Sequence, residues 1–312
     1  MCACPRNSYK TAQSTELTPH AEKEARMANA LSILLEIWKD EGLRGVGATT
    51  YRCFLRTSDR VTNRRMKLAK RIQKTFQWTV AYGPFRGMKL PAEAWWGGAE
   101  RGAMILGIYE KEVLESLISA PSTHKTFIDL GAADGYYGVG MVFSGRFERC
   151  YCFELAARGR RILAECAKSN GVEAKIEILG GADCAFIEHV PIEYRDKSVV
   201  LIDVEGAEFE LLTESVFSAL RGSIIVVELH EWLFDDGARK LQRLRAEAQK
   251  DFVVTELRTS ARDLSQFPEL EALSDDDRWL LCSEGRGRAM RWYRLDPKAP
   301  RLGAAEPPEG QS

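Results

Sequence analysis

No stretch of this 312-residue sequence is long and apolar enough to cross a bilayer, which takes about 20 residues. The longest apolar runs, around Ala30–Trp38, Ser198–Val204 and Ser223–Leu229, are short, and a membrane-spanning protein is not expected. The first twenty residues lack the unbroken apolar segment of a secretory signal, so the default address is the cytoplasm. Charge of one sign is also missing, with 44 basic residues meeting 45 acidic ones for a net charge of −1. Histidine is scarce, at four. The eight cysteines form no C-x-x-C, and several lie in apolar segments where a reduced thiol behaves as a small hydrophobe. A disulfide scaffold and a structural zinc site are thereby set aside. No internal repeat is present. What remains is an ordinary globular balance, 45% hydrophobic and 29% charged, long enough for two domains or for one α/β domain with extra elements.

The charge is unevenly spread. Residues 51–75 hold nine Arg and Lys against one acid, Asp59, and Arg52, Arg56, Arg60 and Arg64 recur every four residues. On a helix that spacing makes one basic ridge, which is either a solvated face or a site for an anionic partner. Neither an RRM nor a KH signature accompanies it, so nucleic acid is not expected. Upstream, Met27, Leu31, Leu34, Leu35 and Trp38 fall at helical spacing and predict an amphipathic helix over 21–41. Met104–Leu117 is a second periodic stretch, after a loop rich in Gly and Trp, Tyr82–Gly98. These patterns divide the chain into a disordered N-terminus (1–20), a helical region with the basic ridge (21–120), a main domain (121–296) and a disordered tail (297–312).

From Lys125 short apolar runs alternate with helical segments. The expected strands are Phe127–Leu130, Cys150–Phe153, Lys175–Leu179, Val199–Val204, Ile224–Leu229 and Phe252–Leu257. The expected helices are Gly135–Phe143, Ala156–Ser169, Glu208–Leu220 and Ala238–Lys250. Such regular alternation predicts an α/β fold, a mostly parallel sheet covered by helices on both faces. Trp279–Ser283 and Met290–Leu295 are expected to add antiparallel strands at the sheet edge.

The first strand runs into Asp129-Leu130-Gly131-Ala132-Ala133-Asp134-Gly135-Tyr136-Tyr137-Gly138, a strand, a small-residue turn and a helix start. Such a turn aims backbone N–H groups at the carboxyl edge of the sheet, where open α/β folds bind ligands. A dinucleotide fingerprint starting at Gly131 fails at Ala133 and Tyr136, and no Gly-Lys-Ser/Thr of a P-loop follows. The run does match Asp-x-Gly-x-x-x-Gly, the S-adenosylmethionine loop of class I methyltransferases. Gly131 and Gly135 permit close backbone approach, Ala132 and Tyr137 lie on the same N–H-bearing bend, and Asp129 can receive an ammonium. Glu154 ends the second strand, where a carboxylate can accept both ribose hydroxyls of an adenosine. Asp183, after the third strand, lies where such folds usually meet adenine.

Further on, Leu201-Ile202-Asp203-Val204-Glu205-Gly206-Ala207-Glu208-Phe209-Glu210-Leu211-Leu212 and Ile225-Val226-Val227-Glu228-Leu229-His230 complete an ordered set of motifs. From about Phe127 to Glu231 the chain resembles the FkbM family of S-adenosylmethionine-dependent methyltransferases. That resemblance implies a class I, Rossmann-like methyltransferase fold, in front of which the helical patterns of residues 21–120 form an N-terminal layer, and methylation of a hydroxyl oxygen on a sugar, glycan or other small natural product; the alternatives are a protein or nucleic-acid acceptor, or a cofactor-binding subunit without turnover. The chain departs from the family's usual residues at Ala133, Leu155 and Leu201.

Methyl transfer from a sulfonium is an in-line displacement, and a neutral hydroxyl attacks well only as its proton leaves. Asp203, Glu205 and His230 are the candidate catalytic residues, with Glu228 beside them. Either His230 or Asp203 serves as base, or the carboxylates and His230 hold a divalent metal, which is not the expected arrangement. Glu208 is sufficiently explained by charge compensation at a helix N-terminus. Trp95-Trp96 is either a lid over the site or a plug joining the N-terminal layer to the sheet.

Overall fold

The computed structural model describes residues 60–298. The expected helix over 21–41, the disordered 1–20 segment, the tail beyond Lys298, and Arg52 and Arg56 of the basic ridge lie outside the described residues. Those described belong to one compact unit.

Apolar, β-branched runs build the sheet. Strands β1 (Thr126–Leu130), β4 (Ser198–Ile202) and β5 (Ile224–Glu228) are buried along their whole length, the pattern of parallel strands covered on both faces. They join β2 (Arg149–Phe153), β3 (Ile176–Leu179), β6 (Phe252–Arg258) and β7 (Arg291–Pro297) in the order β3-β2-β1-β4-β5-β7-β6. β7 is antiparallel to β5 and β6, whereas β1 to β5 pair in parallel. This order with this reversed strand is the class I methyltransferase, Rossmann-like fold. It brings the carboxyl ends of β1 and β4, register partners throughout, side by side.

Period-two alternation along the strands divides the core. Phe127, Cys150, Cys152, Val199 and Val226 face one layer, which contains α1 (Arg60–Thr75), α2 (Arg101–Ile105), α3 (Lys111–Ile118), α4 (Tyr136–Phe143), α5 (Ala157–Ser169) and α9 (Asp275–Cys282). Ile128, Leu130, Phe153, Val200 and Val227 face the other, with α6 (Glu208–Leu211), α7 (Glu214–Ala219) and α8 (Gly237–Ala248).

Three sequence expectations change. Trp279–Ser283 is not a strand: Trp279 to Cys282 form the second half of α9, and Ser283 follows its end. Ser274 caps that helix by accepting from the Asp277 N–H, and Asp275, Asp276 and Asp277 in its first turn favour the positive end of the helix dipole. The stretch Met104–Leu117 breaks into α2 and α3 at Gly107, whose φ of +66° and approach to the Tyr82 carbonyl leave no room for a Cβ. Glu208–Leu220 divides into α6 and α7 because Thr213 caps a new start, its side chain accepting from the Val216 N–H.

The described part of the basic ridge has an internal use. Arg60 and Arg64 are both exposed on α1, but Arg64 forms a two-pronged pair with Asp277 of α9, at 2.5 and 2.7 Å.

Candidate active site

The bend after β1 is built to approach other backbone closely. Gly131 and Gly135 have φ of +89° and +88°, and Ala133 adopts +48°. A Cβ on Gly131 would stand 1.8 Å from the Asp203 carbonyl oxygen, so the β1 and β4 ends meet here only through glycine. Asp203 N–H donates to the Leu130 carbonyl at 2.9 Å, and the Gly131 and Ala132 N–H groups both donate to the Phe153 carbonyl at 2.9 Å. These bonds fix three strand ends against one another.

Glu154, 8% exposed, closes the bend from the β2 side. Its Oε2 accepts from the Ala133 N–H at 2.9 Å and its Oε1 from the Ala156 N–H at 2.7 Å, so the carboxylate is pre-oriented while each oxygen keeps a second lone pair. Burial raises its pKa against the pull of those N–H groups. Asp129 is fully enclosed, and burial pushes its carboxyl up to about 7 despite the Gly138 N–H; its Oδ2 has no hydrogen-bond partner among the described residues. A buried orphan oxygen beside a glycine bend fits an ammonium-bearing ligand.

A second cluster lies at the ends of β4 and β5. His230 Nε2 is 3.6 Å from Glu205, 3.9 Å from Asp203 and 4.0 Å from Glu228, while Nδ1 is 3.4 Å from Glu208. Burial works against charge on this imidazole, but the Glu208 carboxylate close to Nδ1 and the charges of Asp203 and Glu205 outweigh it and hold its pKa above the ordinary value. Burial likewise raises the carboxyls of Asp203 and, more strongly, Glu228. Ligand atoms of Asp203, Glu228 and His230 lie within 4.8 Å of one another, a set able to hold a divalent cation. Glu228 already has a cationic partner, the Arg286 guanidinium at 2.5 Å, which also binds Glu110 and Glu284.

The fold thus gathers Asp129, Gly131, Ala132, Gly135 and Glu154 around one bend, and Asp203, Glu205 and His230 in the adjoining cluster. Tyr137 donates its hydroxyl to Glu110 Oε2 at 2.8 Å, and Glu110 is in turn paired with the Arg286 that binds Glu228. Asp183 is exposed, with Oδ1 accepting from the Ala185 N–H at 2.8 Å; its turn reaches the β2 end through Gly181, which packs against the exposed Leu155. Glu208 needs correction. It is completely buried, and its carboxylate accepts from the Gly206 N–H at 2.9 Å and the His230 N–H at 2.7 Å. A solvated dipole partner would do neither, so this side chain ties the β4 loop to the β5 loop.

Sequence reasoning also missed the buried pair of Arg101 and Asp134, at 2.5 Å, and the Glu110–Arg286–Glu228 chain. Asp134 lies inside the recognised loop and was a readable signal. Arg286 was not, because 58 residues separate it from Glu228.

No family model matches the chain, and no curated protein does. Solved structures do. An O-methyltransferase from Bacillus cereus, in complex with SAH, is 11% identical over 74% of this chain and 90% of its own, with a TM-score of 0.40. The m1A22 tRNA methyltransferase of B. subtilis is 10% identical over 60% of this chain and 66% of its own, also at 0.40. An uncharacterized protein from Listeria monocytogenes serotype 4b is 12% identical over 60% of this chain and 67% of its own, at 0.38. Likenesses at this level carry nothing about function; the strand order itself establishes the fold.

Proposed function

We propose that the chain is an S-adenosylmethionine-dependent methyltransferase, a cytoplasmic enzyme of FkbM type, that methylates a hydroxyl oxygen of a sugar, glycan or other small natural product. The observation that carries this reading is the Gly131–Asp203 contact. It sets a glycine bend suited to the cofactor directly against a cluster of carboxylates and histidine.

In this reading the Gly131–Tyr137 backbone receives the amino-acid end, Asp129 its ammonium, and Glu154 the ribose hydroxyls; Asp183 and Leu155 flank the adenine end. The bound cofactor supplies an electrophilic methyl group. His230 takes the acceptor's proton at Nε2, and the resulting imidazolium is held by Asp203, Glu205 and Glu208. Glu208 acts through His230 by fixing its backbone and placing a negative charge beside its ring, as a positioning residue. Arg286 keeps part of the surrounding negative charge neutralised at Glu228.

The donor set of Asp203, Glu228 and His230 favours a second reading in which a divalent cation lowers the hydroxyl's pKa instead. A screen of hydroxylated metabolites and glycans with methyl-labelled cofactor, with and without chelator, tests both. Label transferred to oxygen in chelator supports the base reading, and chelator-sensitive transfer supports the cation. Label on nitrogen, or none on any hydroxyl, overturns the hydroxyl assignment.

A further inference from the structure

The segment from Pro91 to Arg101 has no part in the chemistry above, yet it is fastened at both ends to the elements around Glu154. Arg101, 2% exposed, donates through Nη1 to the Pro91 carbonyl at 2.7 Å and through Nη2 to the Glu93 carbonyl at 3.2 Å, while pairing with Asp134 of the glycine bend. The Glu93 side chain pairs with Arg158 and Arg161 of α5. Both links bridge parts of the chain far apart in sequence, so the strap and the bend form one hydrogen-bonded unit.

Trp95 lies between these fastenings. A Cβ built on Gly159 in the first turn of α5 would stand 2.9 Å from the Trp95 ring and 2.9 Å from the Glu154 carboxyl carbon. Both groups therefore border the same spot, and glycine there lets them approach. The Arg158 guanidinium lies 5.7 Å from the centre of the Trp95 ring and also binds Glu93, which sets the ring's position from the α5 side. Trp95 is half-buried while Trp96 beside it is exposed, so the pair does not behave as one apolar plug. An indole beside a carboxylate that binds ribose is suited to pack on a nucleoside.

We propose that Trp95 is a cofactor-binding residue that packs on the nucleoside of the adenosyl ligand, held in place by the Glu93–Arg158 latch. This inference rests on the S-adenosylmethionine reading of the glycine bend. It makes the strap a wall of the nucleoside subsite, and it separates the two tryptophans, Trp95 binding ligand and Trp96 facing solvent.

The test uses the full chain and two probes, S-adenosylhomocysteine and 5′-methylthioadenosine, which keeps the nucleoside but lacks the amino-acid end. Calorimetry on wild type, Trp95→Ala, Trp95→Phe and Trp96→Ala is read beside circular dichroism. Trp95→Ala is expected to weaken both probes by the same factor, about tenfold or more. Trp95→Phe, which keeps an aromatic face, should recover most of that loss, and Trp96→Ala should change neither. Ligand-induced change in tryptophan fluorescence should be smaller in Trp95→Phe than in wild type. Unchanged affinity of both probes in Trp95→Ala, or a ligand-induced fluorescence change as large in Trp95→Phe as in wild type, overturns this inference and leaves the cofactor reading standing, provided that wild type binds. No binding of either probe to wild type removes the cofactor reading and the inference together. Loss confined to S-adenosylhomocysteine would put Trp95 at the amino-acid end and contradict the nucleoside contact.

Discussion

Replacing Asp129 by Asn isolates one strongly perturbed ionisation at the glycine bend. Burial raises this carboxyl from its ordinary 3.8 to about 7, so the folded chain holds a proton there that the unfolded chain releases near pH 4. For an acid shifted upward, stability is fully present below the unfolded pKa and is lost as pH rises through the folded one. At 1.36 kcal/mol per pH unit, ionising Asp129 in the fold costs about 4 kcal/mol. Asparagine keeps the shape and one acceptor but cannot ionise. Urea unfolding at pH 4.5 and pH 8 should therefore show Asp129→Asn gaining on wild type by about 3 kcal/mol between the two. The same variant should bind S-adenosylhomocysteine more weakly, because the ligand's ammonium loses its counter-charge. Near pH 6, wild type should release up to about one proton on binding, read as a dependence of calorimetric heat on buffer, and the variant should release none. Parallel stability profiles for the two proteins from pH 4.5 to 8 would refute the reasoning.

Three further outcomes follow from the geometry. Arg101→Met leaves Asp134 buried without its partner and should lower stability by about 3–5 kcal/mol, measured by urea unfolding; a loss under 1 kcal/mol would mean that the pair is not isolated from water. With an acceptor in hand, kcat/KM should rise with pH through an apparent pKa above the ordinary 6.5 of histidine, since His230 acts as base only when neutral. A rate flat across pH 6–8 would count against it. Glu208→Gln removes one of the charges that raises His230, so the rising limb of that profile should move to lower pH while affinity for S-adenosylhomocysteine stays within about twofold; a limb that does not move would exclude Glu208 from tuning the base.

The strands were legible because parallel strands covered on both faces appear as unbroken apolar runs, and β1, β2, β4 and β5 need no tertiary information to be found. Trp279–Ser283 was misread for the same reason. Trp, Leu, Leu and Cys in succession fit a short strand, but Ser274 and three aspartates upstream decide for a helix. The glycine bend was legible because its function lies in backbone conformation, which Gly131 and Gly135 encode locally. Glu208 was not. An acid at a helix start has two readings, and only folding brings the Gly206 and His230 N–H groups onto its carboxylate. The Arg286 partnership depends on β7 returning beside β5, which no local pattern announces.

The central claim is that Glu154 pins the sugar of an adenosyl ligand. Titration calorimetry of S-adenosylhomocysteine into wild type and Glu154→Ala addresses it most directly, with circular dichroism to verify that the variant is folded. Wild type should bind, and the variant should bind more weakly by about 1–3 kcal/mol, or roughly 5- to 150-fold. Equal affinity in the two folded proteins, or no heat of binding in wild type, would contradict the account.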